Sequence, residues 1–154
     1  MNDAQPPYRF EVRDHAADKA ATAYGRTLDE VFAAAAYAMF DLMFDLGTVR
    51  PVTRRRIEIE APSSEELLRQ WLAELLFLFD TEKLVFGEFS VQVEGAAAPA
   101  GAPWRLSATA RGQRYSEHLG RRGAVVKAVT YHHFALCPPA APGGDWTAEM
   151  VFDV

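Results

Sequence analysis

The chain has 154 residues, of which 49% are hydrophobic and 24% charged, and its formal net charge at pH 7 is −5. This size and composition predict one globular domain over residues 8–154, preceded by a short flexible N-terminus over residues 1–7. The negative charge argues against a protein that holds nucleic acid by bulk charge, so we expect direct nucleic-acid binding to be weak or absent.

Two stretches of alternating apolar and polar residues begin the chain. Tyr8 to Val12 and Ala20 to Tyr24 are predicted strands, and the second is closed by Gly25. Between them, residues Asp14 to Asp18 form a polar segment that predicts a turn.

A helix is predicted after the second strand. Thr27 is a favourable N-cap, and Glu30 stands at the position that completes a capping box. Apolar residues then recur at helical spacing, and Gly47 is a plausible C-terminal stop. Asp45 would therefore lie at the end of this helix.

The second half of the chain contains one more helix and several more strands. Arg54 to Glu60 predicts a strand, and the capping-box residues Ser63 and Glu66 open a strongly apolar helix that runs to Phe79. A turn is expected at residues 80–83 and loops at residues 95–103 and 138–145. Further strands are predicted at residues 84–86, 89–93, 104–110, 113–116 and 146–154, with an apolar, β-branched stretch at residues 124–136. This order predicts an α+β fold with two layers, in which two helices pack on one face of a mainly antiparallel sheet.

Familiar catalytic signatures are absent from the sequence. It has no phosphate-binding P-loop, no dinucleotide fingerprint and no serine nucleophile elbow. Cys137 is the only cysteine, which excludes an internal disulfide and a zinc site built of several cysteines, and we interpret it as structural or incidental. A reducing cytoplasm is the expected location, with no membrane association, because no apolar run is long enough to span a bilayer.

Three aspartates beside apolar segments are candidates for a metal site. Asp18 opens the second strand, Asp45 ends the first helix and Asp153 ends the last strand. Carboxylates brought together repel one another, and a hard divalent cation (calcium, magnesium or manganese) would offset that repulsion. From spacing alone, solvated turn residues are the more usual explanation of the same aspartates, because spacing does not show whether they meet.

Two basic side chains are further functional candidates. Lys127 interrupts an apolar stretch and could pair with the carboxylates or touch a phosphate, although it could also extend to solvent. His15 lies between Asp14 and Asp18 and could orient a carboxylate or cap the turn. His132 and His133 are expected on opposite faces of a strand, so at most one of them would join a given site.

The only basic run in the chain is Arg54–Arg56. It could meet RNA or an acidic protein surface, and a solvated strand edge is the simpler interpretation. The apolar helix between Trp71 and Phe79 could offer an exposed patch, although its helical periodicity favours core packing.

Several short stretches, in order and across residues 8–154, resemble the archease family. They are Asp14–Asp18, Ala23–Phe32, Ala38–Phe40 with Met43 and Asp45, Leu67–Leu68, Trp71–Leu72, Glu74–Leu76, Val126–His132 and Val151–Val154. Ala16 stands where the family's turn has a threonine, and the acid at Asp18 is kept.

The resemblance implies a function that the residues alone do not give. Archease-like proteins assist an RtcB-type RNA ligase in tRNA splicing and RNA repair, promoting guanylylation of the ligase and multiple turnover, and they bind a divalent metal through acidic residues. Carried over by position, the metal ligands would be Asp18 and Asp153, with Asp45 as a third candidate, and Lys127 would be a functional residue. The protein would then be a ligase cofactor rather than an enzyme, meeting GTP and RNA through the ligase.

Two alternatives from other functional classes remain. One is a stand-alone metal-dependent hydrolase, which would need a deep pocket around the carboxylates. The other is a chaperone or adaptor with no metal role.

Overall fold

The computed structural model describes residues 6–15, 18–95 and 99–154, except for the side chain of His15. Within these residues, the chain forms two α-helices, eight strands and a short 3-10 turn at Leu46–Thr48. In chain order, the strands and helices are β1 (Arg9–His15), β2 (Asp18–Gly25), α1 (Leu28–Asp41), β3 (Thr53–Ala61), α2 (Ser64–Glu82), β4 (Leu84–Glu94), β5 (Trp104–Arg114), β6 (Ala128–Val129), β7 (Ala135–Cys137) and β8 (Trp146–Asp153).

The strands form two antiparallel sheets. In the first sheet the order is β1-β2-β8-β6, and β7 also pairs with β8. In the second sheet the order is β3-β5-β4. The last strand of the chain therefore joins β2, near the start of the chain, to the two short strands β6 and β7.

Helix α1 lies in the core and contacts both sheets, chiefly through β2 and β4. Its residues Val31–Phe40 are all buried, and the run of four alanines at residues 33–36 lets both sheets approach closely. Helix α2 packs on the second sheet and on β6 and β7. The fully buried Trp71 of α2 ties the two helices together, because its indole Nε1 donates to the carbonyl oxygen of Phe32 at 3.0 Å.

The α+β class, the two helices and the mainly antiparallel strands are confirmed. The structure adds that the strands divide between two sheets, each of which turns one face towards the helices. Neither helix in the described part of the chain is long and apolar enough to cross a membrane.

Both helices begin where local side-chain chemistry predicts. The hydroxyl of Thr27 accepts a hydrogen bond from the backbone N–H of Glu30, and that of Ser63 accepts one from Glu66, each at 3.1 Å. These bonds satisfy backbone donors that have no partner inside the helix. The end of α1 was predicted wrongly, because the helix stops at Asp41 and a separate turn follows it.

Several strand boundaries also differ from prediction, because cross-strand pairing overrides the local turn signals. Asp14 and His15 belong to β1 rather than to a turn. A single strand with a bulge between Phe86 and Glu88 replaces the two strands expected at residues 84–93. Gly112 lies inside β5 rather than between two strands. Glycine is required there because β4 passes so close that an added Cβ would sit 1.8 Å from the carbonyl oxygen of Val85.

The apolar stretch at residues 124–136 is mostly not strand. Only Ala128–Val129 and the start of β7 pair with β8, and a turn separates them. His133 has a left-handed backbone with φ of 53°, so the alternation expected of a strand is lost there. The prediction that His132 and His133 lie on opposite faces of a strand was therefore wrong.

Candidate functional site

Asp18 and Asp153 lie directly opposite each other at the end of the first sheet. They are register partners in the β2–β8 pair, so their side chains project from the same face, with Cα atoms about 4.5–5.5 Å apart. Asp18 is half-buried and Asp153 is exposed. Of the three predicted metal ligands, these are the two that the fold brings together, although 135 residues separate them in the chain.

A small depression adjoins Asp18 on this face, which is the face turned away from α1. Its volume is about 240 Å³, and its lining includes Arg13, Asp18, His132, His133 and Glu149. Both histidines line this depression together with Asp18, and their imidazole rings lie 3.9 Å apart between centroids. The sequence analysis did not identify Arg13 and Glu149 as site residues. Their place here follows from the pairing of β1, β2 and β8, which has no local signal in the sequence.

His15 is the register partner of Asp18 in the β1–β2 pair, which places its backbone beside the carboxylate pair. The predicted role of its imidazole concerns a side chain outside the described residues and stays a prediction.

Lys127 lies at the same end of β8 but turns towards the opposite face. Its backbone N–H donates to the carbonyl oxygen of Asp153 at 2.7 Å. Its exposed side chain lines a wide depression of about 790 Å³ together with Val12, Lys19 and Asp41. In β2, Lys19 alternates with Asp18 and points to the face that covers α1. The amine of Lys127 and the carboxylate pair therefore lie on opposite faces at the same end of the sheet.

Asp45 has a local structural role that is visible in its contacts. Its carboxylate caps the 3-10 turn by accepting a hydrogen bond from the backbone N–H of Gly47 at 3.1 Å. Its backbone N–H donates to Gly120 at 2.7 Å, and its Oδ1 lies 3.8 Å from the guanidinium of Arg122.

Across residues 6–15, 18–95 and 99–154, no three or more His, Cys, Asp and Glu side chains are grouped so that they could hold a metal. Asp45 is therefore not grouped with Asp18 and Asp153 among these residues.

Arg122 holds the segment that leads to Lys127, and no motif in the sequence marks it. Its guanidinium lies 3.3 Å from the carboxylate of Asp41 and donates to the carbonyl oxygen of Phe44 at 3.3 Å. Its backbone N–H donates to Met43 at 2.9 Å. Burial raises the pKa of Asp41 above its ordinary 3.8, and the nearby Arg122 lowers it by less.

The chemistry of the carboxylate pair fits a hard divalent cation with an incomplete protein shell. Two aspartates supply oxygen ligands only, and Mg²⁺ in particular is commonly held by one or two carboxylates with waters or phosphate oxygens in the remaining positions. The exposure of Asp153 leaves room for such additional ligands. A closed cage made entirely of protein ligands, as a structural zinc ion needs, does not fit these residues.

Comparison with known proteins gives one consistent result. The family model described as "Archease protein family (MTH1598/TM1083)" matches residues 10–154. Protein archease from Methanosarcina mazei is 37% identical over 146 residues, covering 95% of this chain and 96% of that protein. Protein archease from Pyrobaculum calidifontis is 39% identical over 150 residues, covering 96% and 97%.

The fold leads to the same family. The solution structure of protein 1598 from Methanobacterium thermoautotrophicum superposes with a TM-score of 0.80 at 37% identity, covering 94% of this chain and 98% of that one. The two chains therefore share their architecture over nearly their whole length. Sequence and structure together establish that this chain belongs to the archease family.

Proposed function

We propose that this protein is a metal-binding activator of an RtcB-type RNA ligase, and that it promotes guanylylation and multiple turnover of the ligase in tRNA splicing and RNA repair. Membership of the archease family supports the choice of partner. The observation that carries the proposal is the pair of opposed carboxylates, Asp18 and Asp153, at an accessible sheet end. GTP and RNA would reach the protein in complex with the ligase.

In this proposal, Asp18 and Asp153 hold a divalent cation, and Asp45 has no part in binding it. A cation held there would supply positive charge to phosphoryl oxygens at the partner's nucleotide site. Lys127 offers a second positive charge on the other side of the sheet end, where it can reach a different phosphate or a carboxylate of the partner. Its segment is held in place by the contacts of Arg122 with the turn after α1.

The shape of the site counts against a stand-alone hydrolase. The depression beside Asp18, at about 240 Å³, is smaller than the pockets of about 300–1,000 Å³ that usually enclose a small substrate. Asp153 is exposed rather than recessed. An open carboxylate pair is better suited to meeting a partner's surface.

The test uses the ligase of the same organism with GTP and metal, and follows guanylylation of the ligase with and without this protein. We expect Asp18→Asn and Asp153→Asn to abolish both metal binding, measured by calorimetry, and acceleration. Glu11→Gln is a matched control, because Glu11 lies on the same sheet face and the substitution removes one negative charge, as Asp18→Asn does. Full acceleration by folded Asp18→Asn would exclude the metal role, and no acceleration by the unmodified protein would exclude the activator role.

Lys127→Gln tests whether the amine and the carboxylate pair, on opposite faces of the sheet end, act independently. Since the amine is turned away from the carboxylate pair, this variant should keep its metal affinity and lose acceleration. Loss of metal affinity in Lys127→Gln would show that the amine and the carboxylates act as one site.

A further inference from the structure

The outer face of the second sheet, turned away from the helices, changes character along its length. The register places its side chains in four rows that run across β3, β5 and β4. The rows are Arg54–Arg111–Glu88, Arg56–Thr109–Ser90, Glu58–Ser107–Gln92 and Glu60–Arg105–Glu94. One end therefore carries three arginines with two neighbouring hydroxyls, and the other end is rich in glutamate. We call the first two rows the arginine end.

Arg54 and Arg111 are directly opposite each other on this face. Like charges in directly opposed positions of a sheet are destabilising. Neither guanidinium forms an ion pair or a side-chain hydrogen bond with any described residue. Glu88 is the other cross-strand neighbour of Arg111 and does not come within ion-pair distance of it. The fold thus holds two adjacent cations that an external anion would stabilise.

The neighbouring row adds donors of the kind that bind phosphate. Arg56 donates through Nη2 to the hydroxyl of Ser107 at 2.8 Å and to the carboxylate of Glu58 at 3.3 Å. The N–H groups on Nε and Nη1 of Arg56 remain as further donors. The hydroxyls of Thr109 and Ser90 stand beside it, over a shallow depression of about 400 Å³. Arginine, serine and threonine side chains are typical donors to the phosphate oxygens of nucleic acids.

We propose that the arginine end of this face binds the phosphate backbone of RNA. No outward-facing residue of β3, β4 or β5 is aromatic, so the face offers no surface on which bases could stack. Recognition would rest on phosphates and would be independent of base sequence. The proposal rests on the proposed function only for the choice of RNA, since a ligase-bound RNA would be the polyanion nearest to this protein.

The glutamates at the other end of the face limit the contact to a few phosphates. Glu58, Glu60 and Glu94 repel a backbone that continues along the strands, and the whole chain carries a net charge of −5. Binding should therefore be weak, and log affinity should fall with log salt by only about 0.7 for each phosphate contacted. This agrees with the weak direct nucleic-acid binding expected from the overall charge.

The test measures fluorescence anisotropy of a labelled single-stranded RNA of about twelve nucleotides at low salt, without the ligase. We expect the double variant Arg54→Gln with Arg111→Gln to bind roughly tenfold more weakly, and the slope of log affinity against log salt to fall by about 0.7 for each lost phosphate contact. The matched control is Arg26→Gln with Arg105→Gln, which removes the same charge. Arg26 is exposed between β2 and α1. Arg105 lies on the same face at the acidic end, paired with Glu60 at 3.1 Å.

The outcomes distinguish a local phosphate site from a general effect of charge and from affinity for acidic proteins. Equal weakening in both double variants would show an effect of net charge alone and would overturn the proposal. Binding of a polyglutamate chain in place of RNA would overturn it in favour of an acidic protein partner. Guanylylation of the ligase in the absence of RNA should be the same for both double variants and the unmodified protein, so failure of this proposal is distinguishable from failure of the activator role.

Discussion

Removal of the Arg122 guanidinium tests how the protein holds the segment that carries Lys127. Arg122→Gln loses the contact with Asp41 at 3.3 Å, the longer one with Asp45 and the bond to the carbonyl oxygen of Phe44. The Arg122 side chain is 48% exposed, so the ion pairs are screened and contribute at most about 1 kcal/mol. With the carbonyl bond, the expected loss of stability is about 1–2 kcal/mol, or roughly 2–8 °C in Tm for a domain of this size.

The stability lost in Arg122→Gln should depend on pH, and the direction of this dependence follows from the pKa of Asp41. Because burial raises the pKa of Asp41 above 3.8, its protonated form is favoured by folding. The associated stability is fully present below the unfolded-state pKa and is lost as the pH rises through the raised folded-state pKa. Arg122 reduces this loss at neutral pH by neutralising the ionised carboxylate. The difference between the protein and Arg122→Gln should therefore be largest at neutral pH and shrink as the pH falls towards 3.8.

The assay is urea unfolding followed by circular dichroism at neutral pH and near the ordinary aspartate pKa. Arg121→Gln is the control, because Arg121 is the adjacent residue and its guanidinium lies over the ring of Tyr115 rather than near Asp41. A stability difference that is constant with pH, or the same pH dependence in Arg121→Gln, would refute the pairing of Arg122 with Asp41. In the guanylylation assay, Arg122→Gln should weaken acceleration while leaving metal affinity unchanged.

Two further predictions concern the second sheet and helix α2. Gly112→Ala should destabilise the protein by about 3 kcal/mol, measured by urea unfolding, because the added Cβ would meet the backbone of Val85 at 1.8 Å. The control Gly87→Ala, whose added Cβ would have no neighbour closer than 3.7 Å, should cost less than about 1 kcal/mol. Equal destabilisation by Gly112→Ala and Gly87→Ala would contradict the close approach of β5 to β4. Ser63→Ala should cost about 1 kcal/mol through loss of the α2 cap, and Ser64→Ala, which removes a hydroxyl just inside the helix, should have a smaller effect.

Local chemistry made part of the fold predictable. The N-termini of both helices follow from a hydroxyl followed three residues later by glutamate, and Thr27 and Ser63 do cap them. The strand nature of β8 follows from its alternation, with Met150 and Phe152 buried on one face and Asp153 on the other. These features depend on neighbours within a few residues.

Other features depend on pairing between distant segments and have no local signal. Asp41 meets Arg122 across 81 residues, and neither residue stands in a motif. The opposition of Arg54 to Arg111 follows from the register of β3 on β5, which composition does not reveal. The association of Asp18 with Asp153 was expected from the family resemblance, and spacing alone left it open.

The turn at His132 and His133 shows how an apolar, β-branched composition can mislead. Such composition predicts a strand, but the segment pairs with β8 only at Ala128–Val129 and again from Ala135, and the left-handed backbone of His133 lies in the turn between them. As a result, both imidazoles lie beside Asp18 instead of being divided between two faces.

The separation of Lys127 from the carboxylate pair constrains how any partner can dock. Lys127 and Asp153 are joined by a hydrogen bond between their backbones, and their side chains leave the sheet in opposite directions. A flat partner surface laid on either face would reach one group and miss the other. A partner that uses both must therefore straddle the end of β8, which favours a protruding loop or a cleft edge over a broad face.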